Sequence, residues 1–263
     1  MQPIGISSRT THKARPMNKE GKLKIIASRE QHHEFIENRI ISQASHRESL
    51  NILEAGCGRR WPYNLEGIKY NLTGVDVDKE ALAARKNIVS DLHEAIEGDL
   101  CTVDLGVEVY DVIYCSYVLE HVEKADVVIK NFVKWIKPDG IIIILIPDPN
   151  SVQGFVTRIT PHWFHVFYHR FFLGKKNAGK PGFGPYATYY HPVVSRSGMR
   201  DFCNDENNRI EILEEYADGF IKPGRSGAKT ILRILKKTIN IISLGKLSDK
   251  HTNLLFVIRK KND

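Results

Sequence analysis

Two glycines and a carboxylate have the spacing of a nucleoside-binding site. Gly56 and Gly58 directly follow the apolar segment 51–55, and Asp76 ends a second apolar segment about twenty residues later. Glycines let the backbone approach a ligand closely, and an acid at the end of the second strand accepts hydrogen bonds from ribose hydroxyls. The pattern therefore predicts that these two turns bind a nucleoside at one edge of a sheet.

The segments around these residues alternate between strand and helix patterns, which indicates an α/β fold with a parallel sheet. The continuous aliphatic run 141–146 is typical of a central strand buried on both faces. We predict strands at 51–55, 70–76, 95–96, 110–115, 141–146, 209–216 and 252–259. We predict helices at 28–47, 79–86, 125–136 and 196–203, and a turn at 137–140.

The net charge of +7 is unevenly distributed along the 263 residues. Residues 149–200 contain no Asp or Glu but seven Lys/Arg and four His, and residues 219–248 contain no acid and seven Lys/Arg. Local charge of this kind usually faces a partner. The four cysteines show neither metal-ligand nor redox-pair spacing. No secretory signal or bilayer-length apolar run is visible, so we expect a cytoplasmic protein that holds no metal, with a loosely ordered basic leader at 1–27.

Five motifs in order carry a family resemblance. They are Leu53–Gly58, Gly74–Asp78, Glu97–Leu100, Tyr110–Val122 and Lys137–Gly140. In this order the chain resembles the class I S-adenosylmethionine-dependent methyltransferases, and most closely their small-molecule, type 11-like branch. The resemblance covers roughly residues 28–148. It implies a doubly wound, Rossmann-like, mostly parallel seven-stranded sheet whose last strand is antiparallel, within one domain at 28–263.

The resemblance also implies a cofactor, S-adenosyl-L-methionine, and the residues that bind it. Asp76 would hold the ribose hydroxyls, although the same acid could serve a turn. Asp99 would accept from the adenine amino group, although it could instead cap a helix. The remaining positions would line the methionine part, pack on the adenine or offer a backbone group: Glu54, Gly56, Cys57, Gly58, Val77, Leu100 and Ser116.

The glycine turn departs from the family pattern in two ways. Arg60 stands where a third glycine is usual, and only about fourteen residues separate Ala55 from Tyr70. The helix after the turn must therefore be very short, which weakens the usual anion site at a helix N-terminus. We expect Arg59 or Arg60 to form a charge-assisted pair with the cofactor carboxylate instead, the alternative being a solvated arginine.

Methyl transfer to a hydroxyl needs a group that removes the proton. His121 follows the fourth predicted strand, on the cofactor side, and an acid-free insertion at 148–193 offers further His and Tyr side chains. Each could instead be a packed or solvated residue. The insertion holds eleven aromatics at 155–190, so it would cover an apolar or planar acceptor that carries phosphate or carboxylate, unless it forms a subsidiary core. The candidate catalytic residues are His121, His162, His165, Tyr189 and His191.

The second acid-free stretch, 219–248, contains a basic amphipathic helix before the last strand. Its apolar positions follow helical spacing, opposite a cluster of Lys and Arg. Residues 228–247 could lie on an anionic membrane and reach a lipid-linked acceptor, or pack on their own domain or a dimer partner. The apolar positions are Ala228, Ile231, Leu232, Leu235, Ile239 and Ile242.

We therefore predict methyl transfer to a small-molecule or lipid-linked acceptor, in the first place O-methylation of an anionic or aromatic substrate. The basic patches leave an RNA or DNA methyltransferase as an alternative, but the sequence Cys115-Ser116-Tyr117 differs from the Asn/Asp-Pro-Pro-Tyr-type motif of base-amino methylation. A catalytically silent cofactor-binding scaffold is a second alternative. A nicotinamide-dependent dehydrogenase is disfavoured by the Leu119–Val122 motif.

Overall fold

The structure, a computed structural model, describes residues 23–171, 174–180, 183–219 and 226–262. Its strands are β1 (Lys24–Ile26), β2 (Leu50–Ala55), β3 (Tyr70–Asp76), β4 (Glu94–Glu97), β5 (Tyr110–Ser116), β6 (Ile136–Pro147), β7 (Ile210–Asp218) and β8 (Asn253–Lys260). Its α-helices are α1 (Arg29–Ser42), α2 (Lys79–Ala84), α3 (Ala125–Trp135), α4 (Val152–Ile159), α5 (His162–Phe171), α6 (Arg196–Asn204) and α7 (Ser226–Ile242).

The strands form one sheet in the order β1-β7-β8-β6-β5-β2-β3-β4. Strand β8 runs antiparallel to both of its neighbours, β6 and β7, and the other strand pairs are parallel. The doubly wound, mostly parallel fold with an antiparallel last strand is therefore confirmed. The number of strands differs from the prediction, because β1 pairs with β7 and adds an eighth strand. That strand lies within the predicted leader, of which residues 1–22 are outside the described part of the chain.

The core consists of two hydrophobic layers, one on each face of the sheet. Along β6, Ile142 and Ile144 belong to one layer, whereas Ile141 and Ile143 belong to the other. All four are buried, as predicted for a central strand covered on both faces. Helix α3 closes the first layer and α1 the second, with Trp135 and Ile36 among their buried residues.

The turn predicted at 137–140 interrupts the pairing of β5 with β6 rather than preceding a strand. The register jumps from Tyr110 opposite Ile136 to Val112 opposite Ile141, so the intervening residues bulge out of β6. Asp139 takes a left-handed backbone conformation, with φ of 58°.

The two acid-free stretches form helices on the outside of the sheet. The first contains α4 and α5, which the sequence did not predict, and the second contains α7, which packs against α4. Leu235 and Ile242 on α7 are exposed, whereas the side chains of Ala228, Ile231 and Leu232 lie outside the described ones. None of the described helices is both long and apolar enough to cross a bilayer.

Candidate active site

The turn after β2 has a backbone conformation that requires glycine. Gly56 and Gly58 have φ of 72° and 53°, in the left-handed region that other residues rarely adopt. A Cβ atom on Gly56 would lie 2.2 Å from Cγ2 of Val118. The amides of Gly56 and Cys57 both donate to the carbonyl of Val75, at 2.8 and 3.1 Å. These contacts hold the turn against the end of β3.

The carboxylate of Asp76 ties this turn to the end of β3. Its Oδ2 accepts from the amide of Gly58 at 2.8 Å, and its Oδ1 accepts from the amide of Asp78 at 2.9 Å. A carboxylate has about four acceptor positions, so two remain available to ribose hydroxyls. Beside it, the side chain of Val77 is 71% exposed. This geometry fits the predicted roles of Asp76 at the ribose and Val77 at the adenine, which stay predictions.

An aromatic cluster follows the glycine turn in place of a helix. Residues 59–69, all described, form turns and extended chain, so the shortened helix expected there is absent. The hydroxyls of Tyr63 and Tyr114 are 2.6 Å apart, and the ring of Trp61 packs against both at 5.0 and 5.7 Å. The usual anion site at a helix N-terminus does not form in this segment.

Arg85 supports the turn from below and was not predicted from the sequence. It is 0% exposed and donates to the Glu54 carboxylate, the Asp91 carboxylate and the carbonyl of Cys57, at 2.8, 2.7 and 2.8 Å. Burial raises the pKa of Glu54, and the guanidinium opposes that rise. Glu54 and Cys57, both predicted at the cofactor, are thus part of a buried ionic network. The four-residue spacing of Ala81 and Arg85 places both on the buried face of one helical turn. This spacing was the sequence signal from which the burial of Arg85 could have been predicted.

The two arginines after the glycine turn, Arg59 and Arg60, do not join the buried network of Arg85. The guanidinium of Arg59 lies 3.5 Å from Asp78 and 3.7 Å from Glu80, and 5.6 Å from the ring centre of Phe183. Arg60 is exposed. Arg59 therefore faces the end of β3, and its predicted pairing with the cofactor carboxylate stays a prediction.

The remaining predicted cofactor residues lie at the ends of β4 and β5. Asp99 is exposed and closes a local turn: its Oδ1 accepts from the amide of Cys101 at 2.8 Å. The side chain of Leu100 is buried, and its carbonyl accepts from Asn131 at 2.8 Å. Ser116 is the last residue of β5. All the predicted cofactor residues therefore meet at the carboxyl edge of the parallel strands, where ligands of such sheets bind.

Comparison with known proteins agrees with this arrangement. A family described as "Methyltransferase domain", of type 11, matches residues 53–144. A ubiquinone biosynthesis O-methyltransferase of Rickettsia prowazekii is 33% identical over 124 residues, which cover 42% of this chain and 45% of the relative. The chain thus matches less than half the length of that relative.

Two solved structures share the fold. An S-adenosylmethionine-dependent methyltransferase of Mesorhizobium loti has a TM-score of 0.53 at 13% identity, and covers 85% of this chain and 96% of its own. One from Methanosarcina mazei has a TM-score of 0.52 at 16% identity, and covers 85% and 98%. Residues 53–144 therefore match a methyltransferase domain, and the chain has the fold of S-adenosylmethionine-dependent methyltransferases. The family and fold imply S-adenosyl-L-methionine as its cofactor.

A cavity of about 940 Å³ lies next to the cofactor residues of the methyltransferase domain. Tyr117, Glu120 and His121 reach it from the end of β5, and residues 188–192 close it from the insertion. Its described lining also includes Arg29, Asn150, Gln153, Arg158, Tyr168, Lys175, Lys236 and Asn253. The cavity and the residues predicted to bind the cofactor meet where β5 ends.

His121 is fixed in one tautomer at this junction. Its Nδ1 lies 2.7 Å from the carbonyl of Ala187, an acceptor, so Nδ1 carries the proton and donates. Burial lowers the pKa of His121, and the Ala187 hydrogen bond opposes that change. The Nε2 atom of the neutral ring faces Glu120 at 3.9 Å from its Oε1.

Glu120 is the second site residue that sequence reasoning missed. It is 5% exposed, lines the cavity, and its Oε2 has no hydrogen-bond partner within the described part of the chain. Burial raises the pKa of this carboxyl to about 7, so it changes charge in the neutral range. The sequence signal for this residue was an acid among the apolar residues of the segment 118–122, directly before the candidate His121.

Of the other four catalytic candidates, two line the cavity and two lie outside its lining. Tyr189 and His191 line the cavity, but Nε2 of His191 lies 3.3 Å from Oδ1 of Asp126, which holds the ring. His165 is at the corner between α4 and α5, where its Nε2 lies 2.9 Å from Oγ1 of Thr160. His162 begins α5, is exposed, and acts on His121 through its charge, which lowers the pKa of that ring.

Proposed function

We propose that the protein transfers the methyl group of S-adenosylmethionine to a hydroxyl of a small molecule bound in the 940 Å³ cavity. One observation carries this proposal: a buried carboxyl with an unpartnered oxygen, Glu120, lies at the junction of the cofactor residues and the cavity. The similarity to an O-methyltransferase of ubiquinone biosynthesis supports transfer to oxygen.

The chemistry follows from the positions of the two reactants. Gly56, Gly58 and Asp76 would hold S-adenosylmethionine, which would supply its methyl group to the acceptor oxygen as the carbon–sulfur bond breaks, leaving neutral S-adenosylhomocysteine and a methyl ether. The hydroxyl proton passes to the Glu120 carboxylate, whose raised pKa brings it closer to that of a phenol. The neutral Nε2 of His121, 3.9 Å from Oε1 of Glu120, offers a second hydrogen-bond acceptor to the substrate hydroxyl. Positioning and exclusion of water supply the rest of the rate enhancement.

The cavity lining favours an anionic, ring-containing acceptor. Arg29, Arg158, Lys175 and Lys236 contribute four cations, while Glu120 is the single carboxylate among the described residues of the lining. Burial lowers the pKa of Lys236, Asp249 opposes that change, and an anionic group bound beside it would oppose it further. The hydroxyls and rings of the cavity's tyrosines suit a planar ring. A hydroxylated aromatic carboxylate or phosphate has this chemistry.

Exposed apolar side chains beside these cations support a lipid-linked form of the acceptor. On α7, Ile234, Leu235, Ile241 and Ile242 are exposed, and α4 and α5 add exposed Ile159, Trp163 and Phe171. The stretches that carry these helices contain no acid. Aliphatic and aromatic side chains among Lys and Arg bind anionic bilayer surfaces. We therefore propose that this surface, the α4–α5–α7 face, docks on an anionic membrane and opens the cavity to an acceptor held there.

Calorimetric titration tests the cofactor half of the proposal. We expect micromolar binding of S-adenosylmethionine and S-adenosylhomocysteine to the wild-type protein, and a loss of at least about 30-fold on Asp76→Ala, since two ribose hydrogen bonds are removed. Asp104→Ala, an exposed acid paired with Lys134, is the matched control. Turnover with hydroxybenzoates and catechols then tests the acceptor. A folded protein that binds neither nucleoside would overturn the proposed function.

Vesicle co-sedimentation tests the membrane half. Vesicles of phosphatidylcholine with phosphatidylglycerol should retain the protein more strongly than phosphatidylcholine alone. The double change Ile241→Glu and Ile242→Glu should weaken that binding about tenfold, while Leu213→Glu, also an exposed apolar position, should not. Equal binding to both vesicle types, or no effect of the double change, contradicts membrane docking.

A further inference from the structure

One segment of the insertion runs over the residues assigned to the cofactor as well as over the cavity. Residues 183–191, here called the strap, follow α5 in the chain and lead to α6. The residues predicted to bind the cofactor belong to two segments, here called lips: the glycine turn with the end of β3, and the segment after β5. The strap contacts both lips.

The first contact joins the strap to the glycine-turn lip. The ring centre of Phe183 is 5.6 Å from the guanidinium carbon of Arg59, within cation–π range. The same guanidinium lies 3.5 Å from Oδ2 of Asp78, the N-cap of α2. Phe183 is therefore linked through Arg59 to the end of β3, where Asp76 is predicted to bind the ribose.

The second set of contacts joins the strap to the β5 lip. The ring of Tyr186 meets the ring of His121 edge-on at 5.5 Å, and the next carbonyl, of Ala187, accepts from His121 at 2.7 Å. The amide of Tyr189 donates to the carbonyl of Glu120 at 2.7 Å. These two hydrogen bonds fix the main chain of this half of the strap, while Phe183 contacts the first lip and Tyr186 the second.

We propose that the strap is the outer wall of the cofactor site and that Tyr186 contacts bound S-adenosylmethionine. The inference rests on the proposed function, because it takes the two lips to form the cofactor site. Tyr186 stands between His121 on one lip and Arg59 with Phe183 on the other, so a nucleoside bound between the lips passes beneath its ring. Burial, and after it the nearby carboxylates of Asp78 and Asp76, raise the pKa of Tyr186.

The strap also gives the two sites a common wall. Its residues 188–191 line the acceptor cavity, while Phe183 and Tyr186 contact the lips. The ring of Tyr186 is about half exposed, so its removal leaves the core intact. A change confined to that ring therefore reports on the cofactor wall, and a change at Tyr190 reports on the cavity wall.

Calorimetry and stopped-flow dissociation on the full chain test the proposal. We expect Tyr186→Ala to weaken S-adenosylmethionine and S-adenosylhomocysteine about tenfold, mainly through faster dissociation, since an aromatic contact is lost. Tyr186→Phe keeps the ring and should stay within about twofold of wild type. Tyr190→Ala, of similar exposure on the cavity side, is the matched control for cofactor affinity.

The outcomes separate this proposal from the proposed function. Wild-type binding with an unchanged Tyr186→Ala affinity and dissociation rate overturns the strap as cofactor wall and leaves cofactor binding intact. An equal loss in Tyr190→Ala also overturns it, because the effect would then not be specific to the side of the strap that contacts the lips. Wild-type protein that binds no nucleoside overturns both.

Discussion

A buried carboxylate lies near each end of strand β5, and the two differ in how completely they are hydrogen-bonded. At the amino end, Asp111 accepts from Arg47, Lys137 and the amide of Asn51 at 2.8 to 3.0 Å. Just beyond the carboxyl end, Glu120 keeps an oxygen without a partner within the described chain, and its pKa is raised to about 7. Removing a partner from a fully paired buried carboxylate destabilises the fold. An unpaired one costs stability, which is expected where a group must accept a proton.

Glu54 shows that position at the carboxyl edge is not enough to identify a reactive acid. It lies in β2 near the glycine turn, yet Arg85 neutralises it and also holds the carbonyl of Cys57. Its carboxylate therefore serves the shape of the turn. Within the described part of the chain Glu120 has no cationic partner for its Oε2, and this, rather than its position at the edge, distinguishes it from Glu54.

The largest effect on this comparison should come from Arg85→Met. The change leaves the Glu54 carboxylate buried without its countercharge and withdraws the support of the glycine turn. We expect a loss of about 3 to 5 kcal/mol in the free energy of unfolding, measured by urea denaturation near neutral pH. Lys79→Met, which breaks an exposed pair with Glu97, should change it by less than about 1 kcal/mol.

A second change shows whether that loss of stability comes from the uncompensated charge or from lost packing. Adding Glu54→Gln to Arg85→Met removes the uncompensated charge, so part of the stability should return. If the double variant were as unstable as the single one, the loss would come from packing, and the contrast between paired and unpaired carboxylates would have no energetic basis at this site.

The elements of the sheet were predictable because their patterns are local. The apolar run in β6, the glycines that need left-handed φ, and the acid ending β3 each follow from a few neighbouring residues. The short gap between Ala55 and Tyr70 likewise predicted that the usual helix could be no more than very short, although the structure has none at 59–69. In each case the physical cause lies within about ten residues of its effect.

The parts that escaped prediction depend on contacts between distant segments. Lys24–Ile26 become a strand only because β7 offers a free edge. Arg85 is buried 31 positions from Glu54 in the sequence, and sequence patterning reads it as one more helix-forming residue. The strap, which belongs to the insertion, contacts Arg59 just after the glycine turn, a residue far from it in the sequence. Glu120 looked like an ordinary charged residue, since its burial is set by the insertion folding back over β5.

Glu120→Gln tests the functional side of the comparison. The amide cannot accept the proton, so we expect kcat with a phenolic acceptor to fall about 100-fold, with cofactor affinity unchanged. Wild-type turnover should rise as the pH passes through about 7, because the base is then ionised, and this rise should vanish in the variant. Acceptors already ionised at the assay pH should be methylated nearly equally by both proteins. Glu123→Gln, an exposed neighbour, is the control.

The smallest effect concerns stability and has opposite signs for the two acids. In the folded protein the Glu120 pKa is about 7, against 4.5 when unfolded. The folded state therefore binds more protons between these values, so this group lowers stability as the pH rises from about 5 to 8. Glu120→Gln should match wild type near pH 5 and exceed it by up to about 2 kcal/mol at pH 8.

Asp111→Asn should instead lose about 1 to 3 kcal/mol at neutral pH, because charge-assisted hydrogen bonds to Arg47 and Lys137 are weakened. Turnover should be unchanged, since Asp111 lies at the opposite edge of the sheet from the cavity. Urea denaturation of both variants across the pH range checks the pair. If Glu120→Gln were destabilising at pH 8, the Glu120 carboxylate would have a stabilising partner in solution. It would then be a structural acid like Asp111, and the base of the reaction would have to be sought in His121.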